Sequence, residues 1–540
     1  MLFLSRVSRM LTVPLKKASG VISRRGLERA RSLSMNRFWN RLREQLAPHE
    51  SMSAADTYRG LSYILKDGLV SQVMVALTGG VILVDFAVRL GASNLIIGIL
   101  AAIPSLAHLM QVPTVYLIER YRNRHMIVFI SSLGSRLFLL FLVAIPFLSS
   151  ADLRLLFLSG GLLLHALANS VTSCSWHSWM HDFIPHNKLG SFFSGRMSMS
   201  QGLGMVVSLT SGYFLDYWRR AFPAVELYGY ALLFSLGIIA GLMSVYYLVM
   251  TPEPRMKPPE KQKSFLSLLS LPFQTPNFRN LIIFLTSWNF AVNLAAPFFT
   301  VYMLRGIGLS LSYIILLSVL SQFMNIMFLG IWGKFSDRFS NKAVLRVSGP
   351  LFIVCILAWT FTMLPDVYIL TVPLLILIHI FSGISTAGVT LSSLNIGLKL
   401  APRGQGTVYL ATNSLCSAIV AGIAPIIGGQ FVDYFRYRQL SWTIKWSGPE
   451  GDLAFRALDF HHWDFFFFIA FLIGLYSLHR LTLVKEEGEI KEKIVLKEFL
   501  SEVKHGMWNL STAGGLRSLV EGVYPLFRNS PRKKVPDKTA

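Results

Sequence analysis

A few side chains that can carry charge stand inside long apolar stretches of the sequence. His165 and His379 each lie near the middle of such a stretch, and Arg136 lies deep in another. An ionisable side chain in hydrocarbon costs at least about 2.5 kcal/mol, so these residues are functional candidates. Because histidine titrates near neutral pH, a facing His pair can take up and release a proton. We predict that His165 and His379 form such a pair; the alternative is that each hydrogen-bonds a neighbouring helix.

Three other residues extend this set of candidates: Asp85, Arg89 and Asn169. Asp85 and Arg89 are four residues apart, hence on one helix face, where they can pair with each other or gate the outer mouth of a pathway. Arg136 needs a buried partner, which Asn169 or an anion of the substrate can supply. A purely structural pair is the alternative for Arg136.

Amide side chains supply the last candidates. Asn289 and Asn293 are again four residues apart and can hydrogen-bond a polar solute. Amides within membrane helices more often join one helix to another, which is the alternative here.

One short pattern suggests enzymatic chemistry. His177 and Asp182 have the spacing of the His-x4-Asp motif that glycerolipid acyltransferases use, in which the histidine acts as a general base. No companion acyl-acceptor motif follows, and the chain has no phosphate-binding Gly-rich loop ending in Lys-Ser/Thr. The three cysteines show no metal or disulfide spacing. We therefore predict that the protein is not an enzyme and has no cofactor and no metal site.

The composition indicates which solvent these residues meet. Hydrophobic residues make up 53% of the 540 residues and charged residues only 15%, more apolar surface than a soluble core of this size hides. The net charge of +23 lies in the tails and in alternate loops instead of on one compact domain, which favours a topology signal over nucleic-acid binding. The lipid bilayer is the predicted partner, and nucleic acid is not.

Apolar stretches of about 20 residues predict twelve membrane spans. They are 69–90, 95–118, 126–148, 153–176, 197–215, 227–250, 281–303, 311–332, 343–364, 367–392, 408–432 and 463–483. The predicted domains are a basic arm at 1–60, six helices within 61–250, a Pro- and Lys-rich linker at 251–280, six helices within 281–483, and an amphipathic helix with a tail at 484–540. The segment 433–462 is predicted to be an external, solvated loop.

The loops after even-numbered spans hold most of the Lys and Arg residues, on the side of the basic amino-terminal arm. This distribution predicts that both termini are cytoplasmic. We also predict a monomer in the plasma (inner) membrane. A mitochondrial transit peptide or a later start codon are alternatives for the arm.

The chain also contains an internal repeat. The segment 119–124, Glu-Arg-Tyr-Arg-Asn-Arg, returns 218 residues later as 337–342, Asp-Arg-Phe-Ser-Asn-Lys, and 212–217 similarly returns as 429–434. Repeated halves built from membrane spans are typical of secondary transporters.

These loops resemble those of the major facilitator superfamily, which carries G-x-x-x-D-R-x-G-R/K-R/K after spans two and eight. The matching residues are Glu119, Arg120 and Arg124 in the first copy and Gly333, Asp337, Arg338 and Lys342 in the second. The resemblance implies an all-α integral membrane fold of twelve transmembrane helices in two six-helix pseudo-repeat bundles. It also implies that these loops form a charge-pair latch on the cytoplasmic side.

The implied function is secondary transport of a small solute by alternating access, coupled to protons. The alternatives are a lipid or lysolipid flippase of the same fold and a polytopic membrane acyltransferase.

Overall fold

The protein is described by a computed structural model at residues 45–50, 52–185, 189–256, 269–363, 367–402, 406–448 and 451–486. The basic arm before residue 45 and the amphipathic helix predicted within 484–540, apart from 484–486, lie outside the described residues. Contacts divide the chain into two compact units, Met1–Leu189 with Ser200–Gln262, and Gly190–Met199 with Lys263–Ala540.

The first unit is built from helices. In chain order they are α1 Ala54–Thr78, α2 Gly80–Arg89, α3 Asn94–Ala107, α4 Gln111–Tyr121, α5 Arg124–Phe138, α6 Leu140–Ala144, α7 Ala151–Phe183, α8 Leu189–Ala221 and α9 Glu226–Val249. Residues 190–199 at the start of α8 group with the second unit.

The second unit adds a hairpin to its helices. Its elements are α10 Leu271–Gln274, α11 Pro276–Val301, α12 Leu311–Arg338, α13 Asn341–Ala358, α14 Thr371–Leu400, α15 Gly406–Phe435, β1 Gln439–Gly448, β2 Gly451–His461 and α16 Trp463–Thr482. The strands β1 and β2 pair antiparallel.

The two units repeat one packing scheme. The first and last long helices of each unit are in contact, α1 with α9 and α11 with α16. The third and fourth spans also pair in each unit, α5 with α7 and α13 with α14. The structure thus repeats in three dimensions what 119–124 and 337–342 repeat in sequence.

Polar caps begin several of the spans. Ser53 accepts a hydrogen bond from the Asp56 N–H at 3.1 Å, and Asn123 accepts one from the Met126 N–H at 2.8 Å. Such caps satisfy N–H groups that a helix start leaves without partners. Each of these caps therefore fixes the residue at which its helix begins.

Eleven helices in the described residues are long and apolar enough to cross a membrane, counting helices joined across a short break as one. The predicted span 197–215 lies in α8, which is 33 residues long but is not one of the eleven. Its many Ser and Gly residues and Gln201 make it more polar than the others.

Two boundaries differ from the sequence prediction. The first span was predicted at 69–90, but α1 begins at Ala54, so Asp67 lies within the helix. The break between α1 and α2 falls at Gly79, and the next residue, Gly80, has a φ of +56°, which suits glycine. The external loop predicted at 433–462 is a β-hairpin over most of its length, because residues 440–445 alternate apolar and polar types with period two.

Candidate functional site

Polar side chains from four helices meet in the first unit, here termed the Arg136 group: Asp67, Arg136, His165, Asn169 and Ser244. The Ser244 hydroxyl donates to Asp67 Oδ1 at 2.6 Å, and Arg136 Nη1 donates to Asn169 Oδ1 at 3.4 Å. Asp67 and Arg136 are within electrostatic range of each other, as are Arg136 and His165. The group therefore links α1, α5, α7 and α9 through charge and hydrogen bonds.

Glycine packing places the Arg136 side chain against α9. A Cβ added at Gly241 would stand 2.8 Å from Arg136 Cγ and 2.6 Å from Met74 Sδ, closer than real Cβ contacts allow. The absence of a side chain at Gly241 thus lets α9, α1 and α5 approach closely around the guanidinium.

The hydrogen-bonding capacity of Arg136 is not filled by the described residues. Its side chain is buried, yet Nε has no hydrogen-bond partner among them, and the contact with Asn169 is long. A guanidinium presents five N–H donors in a planar fork that matches carboxylate and phosphate groups. The Arg136 group is consequently suited to receive an anionic group.

His165 contacts α5 through the residue next to Arg136. Its Nδ1 lies 2.8 Å from the Ser135 carbonyl oxygen and 2.9 Å from Ser135 Oγ. Because a carbonyl only accepts, Nδ1 carries the hydrogen and Nε2 is the nitrogen that can take up a further proton. The alternative drawn from sequence, a hydrogen bond between helices, is therefore present at His165, and it leaves Nε2 available for proton transfer.

The candidate residues of the second unit are two amides and a histidine, and each makes its shortest hydrogen bond to its own helix. Asn289 Nδ2 donates to the Leu285 carbonyl and Asn293 Nδ2 to the Asn289 carbonyl, each at 2.8 Å. Asn289 Nδ2 also lies 3.4 Å from Ser417 Oγ. The buried His379 directs Nδ1 to the Leu375 carbonyl at 2.8 Å.

Asp85 lies at the centre of a second charged cluster in the first unit. The carboxylate accepts hydrogen bonds from Arg219 and from the Tyr230 hydroxyl. The predicted pair with Arg89 is also formed, with Nε 3.5 Å from Asp85 Oδ1, while Arg89 Nη1 donates to Glu226 at 2.9 Å. Sequence spacing identified the partner on the same helix but not Arg219, which comes from α8.

A buried carboxylate holds the start of α5 in what we call the Glu253 cluster. Glu253, just beyond α9, accepts hydrogen bonds from the backbone N–H groups of Arg124 and His125 at 3.1 and 3.0 Å. Arg124 Nε also donates to Glu253 at 2.8 Å, and Arg124 Nη1 donates to Asp182 at 2.6 Å. Both Glu253 and Arg124 are inaccessible to solvent, so the pair is fully desolvated.

The Glu486 cluster repeats this arrangement in the second unit. Glu486, just beyond α16, accepts from the Lys342 N–H at 2.7 Å, from Asn341 Nδ2 at 3.0 Å and from Lys399 Nζ at 3.0 Å. Lys342 follows Arg124 by 218 residues, the interval of the sequence repeat. In both units an acidic residue thus binds the positive N-terminal end of the third span.

Hydrogen bonds lower the pKa of Glu486. Burial alone would raise it, but the bonds from the Lys342 N–H, the Asn341 amide and Lys399 favour the carboxylate more strongly. The pKa of Glu486 therefore lies below its ordinary value.

The loop residues predicted to form a latch are arranged differently from the expectation. Glu119, Arg120, Asp337 and Arg338 are all exposed, and an added Cβ at Gly333 would meet only Leu391 Cδ2 at 3.8 Å. Of the predicted latch residues, Arg124 and Lys342 are the buried ones, and the carboxylates that they meet lie outside the repeated motif. The physical reason is that a carboxylate beyond the last span can reach a helix start, whereas Glu119 and Asp337 lie on solvated helix ends.

Sequence analysis therefore missed Asp67, Glu253 and Glu486. Asp67 lies two residues before the predicted span 69–90, although the helix extends back to Ala54. Glu253 and Glu486 share a signal that was available: each follows directly on the last span of its half.

The acyltransferase motif is not assembled. His177 Nδ1 lies 2.7 Å from the Ser173 carbonyl of its own helix, while Asp182 accepts hydrogen bonds from Arg124 and His181. An acid that supports a general base must contact it. Asp182 instead belongs to the Glu253 cluster.

Comparisons with known proteins agree on one family. A family model described as Major Facilitator Superfamily matches residues 68–425 and 290–530. An "MFS-type transporter" of Aspergillus terreus (strain NIH 2624 / FGSC A1156) is 28% identical over 120 residues, which are 22% of this chain and 20% of that protein. "MFS-type transporter FPY5" of Fusarium mangiferae is 30% identical over 134 residues, 25% of this chain and 21% of that protein. The chain thus matches about a fifth of the length of each of these curated relatives.

Solved structures support the same fold. The "bacterial homologue of iron transporter ferroportin in inward-facing state" aligns with a TM-score of 0.57 at 11% identity, over 81% of this chain and 100% of that chain. The "nucleoside transporter NupG" aligns with a TM-score of 0.54 at 11% identity, over 80% of this chain and 99% of that chain.

Proposed function

Because this chain belongs to the Major Facilitator Superfamily and its described residues include eleven helices long and apolar enough to cross a membrane, we propose that it is a transporter that carries a small solute with an anionic group, coupled to protons, by alternating access. We further propose that it is a plasma-membrane protein with both termini in the cytoplasm, which the basic residues of the even-numbered loops support.

The observation that carries this proposal is the under-filled guanidinium of Arg136. A charge that is buried without sufficient hydrogen bonds is expensive, so it is retained where a ligand supplies the missing contacts. A carboxylate or phosphate of the solute would accept from Nε and the neighbouring N–H groups, as the fork geometry of arginine favours. A cationic solute would instead be repelled by the same guanidinium.

In this proposal, Asp67 couples the binding of the solute to the binding of a proton. While it is ionised, Asp67 competes with the solute anion for Arg136. A proton taken up on a carboxylate oxygen of Asp67 removes that competition, so the solute and the proton bind together and leave together. His165 Nε2 is the further group proposed to carry protons along the pathway, whereas His379, whose Nδ1 is bonded to the Leu375 carbonyl of its own helix, is proposed to be a packing residue.

The Glu253 and Glu486 clusters have a mechanical role in the proposal. Each fixes the third span of its unit to the end of the sixth, so each six-helix unit can move as a body. Alternating access in this fold class is largely such movement of one repeat against the other.

Uptake into proteoliposomes tests the proposal. Radiolabelled anionic, neutral and cationic solutes of similar size are compared with the interior buffered at pH 7.5 and the exterior at 6.0 or 7.5. We expect at least one anionic solute to accumulate, and faster with the acidic exterior. Selective uptake of cations would contradict the solute class, and uptake that ignores the pH gradient would contradict the coupling. Translocation of a fluorescent lysolipid without uptake of any soluble solute would favour the flippase.

A further inference from the structure

The hairpin between α15 and α16 is fastened to the ends of both helices. Residues 436–438 alone separate Phe435 from β1, and His462 alone separates β2 from α16. The Arg438 N–H donates to the Phe435 carbonyl at 3.0 Å, and the His461 N–H donates to the Asp464 carboxylate at 3.0 Å. The base of the hairpin is therefore held where the two helices end, on the opposite end of α16 from Glu486.

One face of β1 is apolar and open to solvent. Leu440, Trp442 and Ile444 expose 53%, 66% and 50% of their surface. They alternate with polar residues, as in Ser441 and Thr443. Successive side chains of a strand point to opposite faces, so β1 has one apolar and one polar face.

The backbone register pairs each of these apolar positions of β1 with an apolar residue type on β2. Leu440 pairs with Phe460, Trp442 with Leu458 and Ile444 with Phe455 across the sheet. The bulge between Trp442 and Thr443 preserves this matching.

The apolar face continues onto the lipid-facing side of α16. Phe460 packs against Phe465 and Phe468, with ring centroids 5.9 and 5.4 Å apart. Helical spacing puts these two phenylalanines on the same side as Leu472 and Tyr476, which expose 47% and 53% of their surface. The exposed apolar side of a membrane span contacts lipid. The hairpin thus extends a surface that already borders the bilayer.

We propose that the hairpin lies on the membrane with its apolar face in the headgroup and acyl boundary of the adjacent leaflet, which is the outer one in the proposed topology. The occupant of this face is the lipid surface itself. Tryptophan and tyrosine favour that boundary, and Trp442 on the strand and the exposed Tyr434 and Tyr437 at the end of α15 supply them. The polar face, which includes Lys445, remains in water, as in other interfacial amphipathic elements.

Six spin labels test this placement. Cysteines are introduced singly at 440–445 into the full chain after Cys174→Ser, Cys355→Ala and Cys416→Ser, and each protein is labelled and reconstituted in phosphatidylcholine/phosphatidylglycerol liposomes. Collision with oxygen, which concentrates in lipid, is compared with collision with a water-soluble nickel chelate. Leu472→Cys gives the value for a label within the bilayer.

The expected result is a period of two. The ratio of oxygen to nickel accessibility at Leu440→Cys, Trp442→Cys and Ile444→Cys should exceed that at Ser441→Cys and Thr443→Cys several-fold and approach the value at Leu472→Cys. Equal nickel accessibility along the strand would overturn the proposal by placing the hairpin in water. Exclusion of both reagents from 440, 442 and 444 would overturn it in favour of a protein partner or a second copy. Since Leu440 and Ile444 report independently, the test does not depend on the Trp442→Cys protein.

Discussion

The two six-helix units are similar at the N-terminal ends of their third spans and differ in the polar residues near the middle of their helices. Glu253 and Glu486, which are 233 residues apart (253 to 486), each accept backbone N–H groups at the N-terminal end of a third span. In mid-helix, however, the first unit gathers Asp67, Arg136 and His165, whereas the described residues of the second unit hold Asn289, Asn293 and His379 there. The part that stabilises each bundle is therefore shared, while the proposed anion and proton site lies in the first unit.

Removal of the carboxylate that caps the third span should destabilise the first unit, through Glu253, more than the second unit, through Glu486. Glu253→Gln leaves the half-exposed Asp182 as the carboxylate that pairs with the buried Arg124, and loss of one partner from a buried pair costs roughly 3–5 kcal/mol. Glu486→Gln should cost less, about 1.5–3 kcal/mol, because the side chain of Lys399 is 48% exposed and can hydrate. Thermal unfolding in detergent, followed by tryptophan fluorescence, measures both. Equal losses would show that the two clusters are energetically alike.

Removal of the Arg136 guanidinium tests whether the solute site lies among the mid-helix residues of the first unit or of the second. The hydrogen bonds of a charged group contribute about 1.5–3 kcal/mol, so Arg136→Gln should raise the apparent KM for an anionic solute by about ten- to a hundredfold. Asn293→Ala is the matched control in the second unit, where the amide donates to its own helix. Even an amide that bonds to another membrane helix contributes only about 0.6 kcal/mol, so loss of this bond within one helix should change KM by no more than about threefold. A larger effect at Asn293 would move the solute site to the second unit.

The two histidines offer a finer test of the same contrast. His165→Ala should shift the pH dependence of uptake, since in the proposal its Nε2 passes protons next to Arg136. His379→Ala should leave that profile unchanged, because His379 is bonded to its own helix and packs 5.7 Å from the Trp359 ring. Initial rates between pH 5.5 and 8 in symmetric buffers separate the two. A shift with His379→Ala alone would reverse the assignment.

The smallest expected effect concerns Glu486 and pH. Its pKa is lowered in the folded protein, so it stabilises the fold above the ordinary glutamate pKa, about 4.3. That contribution is lost as the pH falls through the lower pKa of the folded state. The unfolding temperature of the wild type should therefore approach that of Glu486→Gln as the pH is lowered from 7 toward 3.5. A constant difference between the two proteins would contradict the shift.

Sequence patterns predicted the membrane spans and the repeat because both depend on the period and length of apolar residues. The position of Arg136 in a span and the pair between Asp85 and Arg89 followed from the same local rules. Arg219, which contacts Asp85, comes from α8, and Glu253, which contacts Arg124, lies just beyond α9. Spacing along one helix carries no information on such partners.

The hairpin illustrates another limit of local patterns. Residues 433–462 balance acidic and basic types, which favoured a solvated loop, and that description left out the period-two alternation of 440–445. The pairing of Leu440 with Phe460 becomes evident only once both strands are placed.

Solute-driven proton flux is the direct test of whether Asp67 couples the solute to protons. Proteoliposomes that enclose a pH-sensitive dye receive the transported anion, and wild type is compared with Asp67→Asn and with Asn293→Ala. We predict that addition of the anion acidifies the interior for wild type and Asn293→Ala and that Asp67→Asn, although reconstituted to the same level, gives no proton flux. Proton flux of wild-type size in Asp67→Asn would contradict the claim that coupling lies in the Arg136 group of the first unit.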